Sequence, residues 1–233
     1  MKNLAILAGL ALLISACSPK YYSSNTQNVP LISAKGEKNL SLAGNGNQIE
    51  FQGAMGVSNN IAIKANGAFF IPAKEDNGNG GSGKLFEVGG GYFTPINQNF
   101  VFETYAILGF GSMKNHFEPN GGDGGDISAN VVRYGIQPNF GYKSKNFEAA
   151  ISSRFVNLNY NGVKGNLVYQ GNNQVTYLEE NNSNFLIEPA LTLRAGFEKL
   201  KFQAQIGHSF NLSNNDFRQD KDYVTVGLNY RFK

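Results

Sequence analysis

The chain has 233 residues, and its 20 Lys and Arg against 17 Asp and Glu give a formal charge of +3, which excludes the strongly basic surface of a nucleic-acid-binding domain. Its 28 Gly, 18 Phe and 11 Tyr, with no Trp, are typical of strands and turns. Because no amphipathic helical pattern of useful length follows residue 17, we expect an all-β fold.

The first residues predict export from the cytoplasm. A short basic start, Met1-Lys2-Asn3, is followed by an apolar run from Leu4 to Ile14 that is too short for a membrane helix. The next residues, Ser15-Ala16-Cys17, resemble the end of a bacterial lipobox, which implies cleavage before Cys17 and diacylation of that cysteine. We therefore expect residues 1–16 to be a lipoprotein signal peptide, with an ordinary signal peptide as the alternative.

The segment 17–37 is polar and poor in regular patterns, which predicts a lipidated tether below the folded domain. Ser18 rather than Asp follows Cys17, and the lipobox resemblance then implies the outer membrane. Because no acidic cluster follows Cys17, the sequence carries no signal for display of the anchor on the cell surface. We expect a periplasmic N-terminus.

Residues 38–233 contain runs in which apolar and polar residues alternate, as in half-buried strands. Short turns and long loops separate these runs in alternation, which is typical of outer-membrane barrels. The long loops are expected at 72–83, 114–128, 160–183 and 213–221. The runs predict a closed antiparallel transmembrane β-barrel of about ten strands, with eight or twelve as alternatives. An even number places both chain ends on the periplasmic side.

Three local features depart from this simple pattern. Within the longest loop, two short apolar runs at 167–169 and 175–177 predict a hairpin that extends the barrel wall. Pro138 and Pro189 lie inside strands of a barrel without edges, so we expect bulges there. The alternation changes near Val156, which also predicts a bulge or the membrane boundary.

Charged residues on the strands all fall on the polar parity. In a membrane barrel this set lines the lumen, where the charges must pair because unpaired buried charge is costly. In a soluble lipocalin-like barrel the same set faces water. Four of the five basic members are Arg, which favours confined bidentate pairing and hence the membrane barrel. The set is Glu50, Lys64, Glu87, Glu103, Arg133, Glu148, Arg154, Glu188, Arg194 and Arg231.

The last strand carries a further resemblance. Thr225, Gly227, Tyr230 and Phe232 have the spacing of the C-terminal signal that barrel-assembly machinery reads. Together with the lipobox and the segment Asn28-Val29-Pro30-Leu31 with Lys35-Gly36-Glu37, this strand makes the chain resemble small outer-membrane β-barrel lipoproteins of Bacteroidota. The resemblance implies outer-membrane lipid and the assembly machinery as partners, and a larger envelope complex as a candidate partner. That family is functionally diverse.

Motifs that carry chemistry are weak. Gly78–Lys84 is similar to a phosphate-binding loop but lacks the Ser or Thr after the lysine, and 121–128 resembles one calcium-binding repeat where stacked copies are needed. His116 and His208 are the only histidines, and His116 lies near acidic loop residues as in outer-membrane proteases or acyltransferases. We expect no enzyme, no cofactor and no metal.

The most direct functional hypothesis is a structural or accessory envelope component that acts through its wall and external loops. A barrel of about ten strands is narrow, and long Arg and Glu side chains fill it, which favours a plugged wall over a pore. The alternatives are a narrow channel, a soluble ligand-binding lipoprotein, and an outer-membrane protease or acyltransferase.

Overall fold

Ten long antiparallel strands form the protein. The computed structural model describes residues 18–74 and 79–233. The strands are β1 (Lys38–Asn45), β2 (Gln48–Gly56), β3 (Ile61–Lys74), β4 (Gly80–Pro95), β5 (Phe100–Asn120), β6 (Asp123–Lys143), β7 (Phe147–Gly165), β8 (Ser183–Gly196), β9 (Leu200–His208) and β10 (Asp222–Phe232).

The sheet closes on itself. Each strand pairs with its neighbours in chain order, and β10 returns to pair with β1, from Val226 opposite Gly44 to Phe232 opposite Lys38. Closure leaves the long strands without a free edge, so their backbone groups can be satisfied within the wall. The predicted closed antiparallel barrel of ten strands is confirmed.

Apolar side chains point outward around the half of the barrel that lies towards the end where the last strand finishes, at Phe232. Val88 is 58% exposed, Ile151 61% and Val226 63%, and similar residues surround them on neighbouring strands. An apolar belt of this kind is stable only against lipid, because it far exceeds the apolar patches that soluble monomers expose. The barrel therefore spans a membrane, and we call this part of the wall the membrane half.

Two kinds of connection distinguish the ends of the barrel. At one end, 57–60, 96–99, 144–146 and 197–199 join strands by short turns, and the barrel begins and ends there with Lys38 and Phe232. At the other end, β5 and β6 each have 21 residues and rise beyond the rest of the wall. Long extensions are typical of the external side, so we call this the external end.

The longest predicted loop contains a helix. Two-residue strands lie at Val168–Tyr169 and Asn172–Asn173, and α1 (Gln174–Glu180) follows. The predicted second strand of this hairpin, at 175–177, is therefore wrong. Asn173 explains the change, because its side chain accepts hydrogen bonds from the N–H groups of Val175 and Thr176 and caps the helix. No helix in 18–74 or 79–233 is long and apolar enough to cross a membrane.

Two other predicted loops are largely strand. The loop expected at 114–128 is wrong, because β5 and β6 pair almost to the turn at Gly121 and Gly122, whose φ angles are +60° and +98°. Glycine tolerates these left-handed angles, which makes the tight turn possible. The loop expected at 72–83 is shorter than predicted, since β3 reaches Lys74 and β4 begins at Gly80, and residues 75–78 lie outside the described part.

The change of pattern near Val156 is a change of environment. The pairing of β7 with β8 runs without a shift from Ser183 opposite Asn159 to Ala195 opposite Phe147, so the predicted bulge is wrong. Beyond Val156, the inward side chains become apolar. They belong to an external core of Tyr21, Met113, Phe117, Ile127, Ala129, Val131, Val156, Leu158, Tyr160, Leu167, Leu178, Leu186 and Phe217.

The bulges predicted at the prolines are also wrong. Pro189 lies opposite Ser153 in an unbroken register, and Pro138 lies opposite Thr104 on its other neighbour. Between β6 and β7 the pairing pauses after Ile136 and resumes at Asn139 in the same register. The missing proline N–H thus interrupts the ladder locally without adding a residue.

Residues 18–37 do not form a tether below the barrel. The side chains from Tyr21 to Ile32 are buried inside the lumen apart from half-buried Ser23, and the segment ends at Glu37, at the short-turn end. Its N-terminal part lies at the external end, where Tyr22–Ser23 pairs in parallel with Gln219–Asp220 of the loop before β10. The expected periplasmic tether is therefore corrected to a luminal segment, 18–37.

Replacing Val88 by Arg should destabilise the barrel, because the side chain lies in the apolar belt and would place a charge in hydrocarbon. We expect the free energy of unfolding in phospholipid vesicles to fall by about 2–4 kcal/mol, measured by urea titration. The control is Asn172→Arg at the exposed external hairpin, with a change within about 0.5 kcal/mol. Equal effects of both changes would contradict a lipid-facing belt.

Candidate functional site in the filled lumen

The ten charged residues singled out in the sequence all lie on the inner side of the wall. Nine of them are buried, and the side chain of Arg231, at the short-turn end, is 11% exposed. Alternate residues of a strand face opposite sides of the sheet, which is why a single parity collects the whole set in the lumen. The structure thus places all ten residues along the lumen of the barrel.

Arg and Glu form ion pairs across the lumen. Arg133 contacts Glu87 at 2.5 Å and Arg154 contacts Glu188 at 2.8 Å, with all four side chains at most 1% exposed. Glu148 forms ion pairs with Arg194 at 2.9 Å and with Arg231 at 3.0 Å. Such pairs are costly to break from one side, because the partner is left as a buried unpaired charge.

Three further charges complete this network and were missed in the sequence. Glu37 contacts both Lys143 and Arg231, and Lys201 lies 3.4 Å from Glu148. Glu37 belonged to the predicted tether, and Lys143 and Lys201 lie at strand ends beside the short turns 144–146 and 197–199. The period of two could have identified both lysines, because Lys143 shares the inward parity of Arg133 and Lys201 shares that of Gln203.

Among the described residues, no cationic side chain donates a hydrogen bond to Glu50, which binds the luminal segment instead. It accepts hydrogen bonds at 2.7 Å from the backbone N–H and from the hydroxyl of Thr26, and Gln48 donates to it from the wall. The expected pairing of five acids with five bases is therefore only partial. Glu50 compensates buried backbone and hydroxyl donors instead.

Glu103 plays the same part nearer the short-turn end. It accepts hydrogen bonds from the N–H groups of Leu31 at 3.1 Å and Ile32 at 2.7 Å, and from the hydroxyl of Tyr105. Leu31 has a φ angle of +50°, which is unfavourable for a residue with a branched side chain. Gly141 leaves room for it, because a Cβ there would lie 2.6 Å from the Leu31 side chain.

The cations of the lumen bind the carbonyl groups of the same segment. Arg154 donates to the Asn25 carbonyl at 2.7 Å, and Arg194 to the Val29 carbonyl at 2.7 Å. Arg231 donates to the Pro30 carbonyl at 2.9 Å. Lys64 donates to Gln137 at 2.7 Å and lies 4.8 Å from the ring centre of Tyr105. Carboxylates thus satisfy the segment's N–H groups, and cations satisfy its C=O groups.

The segment closes the lumen in the membrane half. Residues 25–28 are at most 1% exposed, and so are Glu50, Arg154, Glu188 and Gln205 around them. Hydrogen bonds join residues 25–28 to β2, β3, β6, β7, β8, β9 and β10. The segment therefore occupies the lumen at this level and is hydrogen-bonded to seven of the ten strands.

Tyr21 fixes the external end of the segment. Its N–H donates to the Arg218 carbonyl at 2.8 Å, its hydroxyl donates to Gln174 of α1 at 2.8 Å, and its carbonyl accepts from Tyr160 of β7. Its ring lies 6.3 Å from that of Phe217. The segment is therefore anchored in the external core as well as in the polar lumen.

The predicted assembly signal lies on β10, where its residues contact the luminal segment, the neighbouring strand or lipid. Thr225 accepts a hydrogen bond from the Thr26 hydroxyl at 3.0 Å, Gly227 lies against Ala43 of β1, and Tyr230 is 43% exposed towards lipid. Recognition of Thr225, Gly227, Tyr230 and Phe232 by assembly machinery stays a prediction. Cys17 lies outside the described residues.

His116 sits on the outer surface of the β5–β6 hairpin, beyond the apolar belt. Its Nδ1 lies 2.8 Å from Asp126 and its Nε2 3.3 Å from Glu118, and hydrogen bonding to Asp126 and then to Glu118 raises the pKa of His116. No nucleophile is placed beside it by these contacts. In the described residues no group of three or more His, Cys, Asp or Glu is arranged to hold a metal.

Known proteins offer limited comparison. No family model and no curated protein sequence matches the chain. Two solved structures are similar in outline: a KdgM porin, with 10% identity and a TM-score of 0.41, and a KdgM porin in complex with disordered oligogalacturonate, with 11% identity and a TM-score of 0.39. Both comparisons cover 84% of this chain and 99% of the porin. At this level of similarity the porins say nothing about what this chain does.

Glu188→Gln should destabilise the protein, because it leaves Arg154 as a buried charge without its anionic partner. We expect a loss of about 3–5 kcal/mol in the free energy of unfolding, measured in vesicles. Glu198→Gln is the matched control, since Glu198 and Lys145 form an exposed pair at 3.5 Å. The control should lose less than about 1 kcal/mol. A loss as small for Glu188→Gln would contradict the buried ion pair.

His116 should titrate above the usual histidine value of about 6.5 in an NMR pH titration. Its raised pKa means that protonation stabilises the hairpin below the ordinary histidine pKa, and that this stabilisation is lost as the pH rises through the raised value. Asp126→Asn should lower the midpoint. Glu179→Gln, an exposed change on α1, should leave it in place, and a midpoint insensitive to Asp126→Asn would refute the assigned hydrogen bond.

Proposed function

We propose that the chain is an outer-membrane lipoprotein whose barrel is sealed by its own luminal segment. It acts as a structural or accessory component of the cell envelope, without catalysis and without conducting ions. The single observation that carries this proposal is the burial of residues 25–28 among hydrogen bonds from most of the wall.

The outer-membrane location rests on the wall and on the start of the chain. Closed antiparallel barrels with an apolar belt are the form in which strands cross outer membranes, because every backbone group is paired within the sheet. Residues 1–16 and Cys17 supply the export signal and the lipid site that the lipobox resemblance implies.

The absence of conduction follows from the energetics of the segment. To open a path at its level, the barrel would have to remove the segment, which leaves Glu50 and Glu103 without the backbone donors they accept from. Even when water takes the place of the segment, each hydrogen bond to a charged group that is lost costs a net of about 1.5–3 kcal/mol. Several such hydrogen bonds are lost together, so the sealed form is favoured.

An accessory role makes use of the surfaces that stay available. The belt contacts outer-membrane lipid, and the closing strand serves the assembly machinery during insertion. The β5–β6 hairpin and α1 rise at the external end with polar outer faces, where Lys114, Glu118 and Asn130 are exposed. These faces are the part of the protein through which a larger envelope complex would bind.

The full chain should show no stepwise conductance in a planar bilayer. The double variant Glu50→Ala with Glu103→Ala should show brief openings, because it removes the carboxylates that accept hydrogen bonds from the segment's N–H groups. Glu198→Ala, at the exposed short-turn end, should behave like the unaltered chain. Stable, charge-selective steps from the unaltered chain would refute the sealed lumen and favour the narrow channel.

A further inference from the structure

The direction of the luminal segment is set by its contacts. Near the external end, Asn115 donates to the Lys20 carbonyl at 2.8 Å, and Tyr21 binds the loop that precedes β10. At the other end, the N–H of Gly36 donates to the carbonyl of Gly56, which is the last residue of β2 before a short turn. The chain therefore enters at the external end and leaves at the short-turn end.

Contacts between these points follow the same order along the barrel. Tyr22 donates to Glu188 at 2.8 Å, Thr26 to Glu50 and Asn28 to Asn66 at 2.7 Å, and the Leu31 N–H donates to Glu103. Because an extended chain spans up to about 3.3–3.6 Å per residue, the segment is long enough to cross the membrane half once. It cannot return without unmaking these bonds.

The surroundings of Ser18 lie at the external end as well. Ser18 borders a cavity of about 200 Å³ between the segment and the wall, together with Asn47, Gly81, Gly83 and Lys114. Gly81 and Gly83 take up little space on the inner side of β4, and Phe70, Leu85, Met113 and Val131 provide apolar lining. Ser18, the first described residue, therefore lies beside this cavity at the external end.

We infer that the N-terminal end of the mature chain emerges at the external face, so that the lipid on Cys17 enters the outer leaflet from the outside. The inference rests on the proposed lipidation of Cys17. It places the anchor on the side opposite the one expected from the sequence, where it would hold the external end of the barrel close to the outer leaflet. The ligand of the cavity beside Ser18 would be one of the anchor's own acyl chains.

Three features favour an acyl chain of the anchor over a soluble ligand in this cavity. The cavity is bordered by the segment that carries Cys17, so an attached acyl chain needs no encounter from solution. Phe70, Leu85 and Met113 give the mixed lining an apolar part, which suits methylene groups. The Lys20 carbonyl accepts a hydrogen bond from Asn115 of the wall, which holds this part of the segment beside the cavity.

Labelling of intact cells with a membrane-impermeant maleimide tests the topology. Cys17 is the only cysteine, and its sulfur, joined to diacylglycerol by a thioether, does not react, so Lys20→Cys adds a single reactive thiol. We expect Lys20→Cys to be labelled in intact cells to the same extent as Asn172→Cys in the external hairpin. Asn97→Cys, in a short turn, should be labelled only after the outer membrane is permeabilised. Labelling of Lys20→Cys in intact cells no higher than that of Asn97→Cys overturns the inference.

The unaltered chain separates this failure from failure of the proposed function. If the sulfur of Cys17 carries diacylglycerol, the denatured protein should not react with maleimide, and its intact mass should include the lipid. A free Cys17 thiol would refute lipidation while leaving the threading result to stand on Lys20→Cys. In the lipidated protein, Gly83→Leu should fill the cavity and displace the acyl chain, which makes the chain more accessible to a lipid probe. An unchanged probe signal would overturn the placement of the acyl chain beside Ser18.

Discussion

The structure depends on one constraint, which is that an irregular stretch of backbone at membrane depth must have every polar group satisfied by protein. Residues 18–37 form no long strand or helix of their own, so the wall has to supply their partners. Glu50 and Glu103 accept from N–H groups, and Arg154, Arg194 and Arg231 donate to C=O groups. The charged lumen is therefore a binding surface for the segment.

This arrangement also explains why the charges are tolerated in the membrane half. Ion pairs such as Arg133 with Glu87 neutralise one another, while Glu50 replaces a cation by several hydrogen bonds. Either solution avoids an uncompensated buried charge, whose cost of about 3–5 kcal/mol is a large part of the usual margin of stability. The wall and the segment therefore stabilise each other, and a variant in one should be felt in the other.

Above the belt the same wall changes its inner surface. Val156, Leu158 and Tyr160 continue β7 with apolar residues turned inward, around Tyr21 and Phe217. Water replaces lipid outside this part, so the ordinary arrangement of an apolar core with a polar exterior returns. The external core holds the start of the segment, whereas the polar lumen holds its middle, and together they seal the barrel in the proposed function.

The sequence by itself determined the barrel, because a period of two along ten strands assigns each residue to lipid or lumen whatever the loops do. It placed the ten charges inside for the same reason. Only the tertiary structure decided that Glu50 and Glu103 bind backbone, that Glu37, Lys143 and Lys201 join the network, and that 18–37 lies in the lumen. A polar segment without period is compatible with solvent or with a polar cavity, and the difference arises from partners more than 20 residues away in the chain.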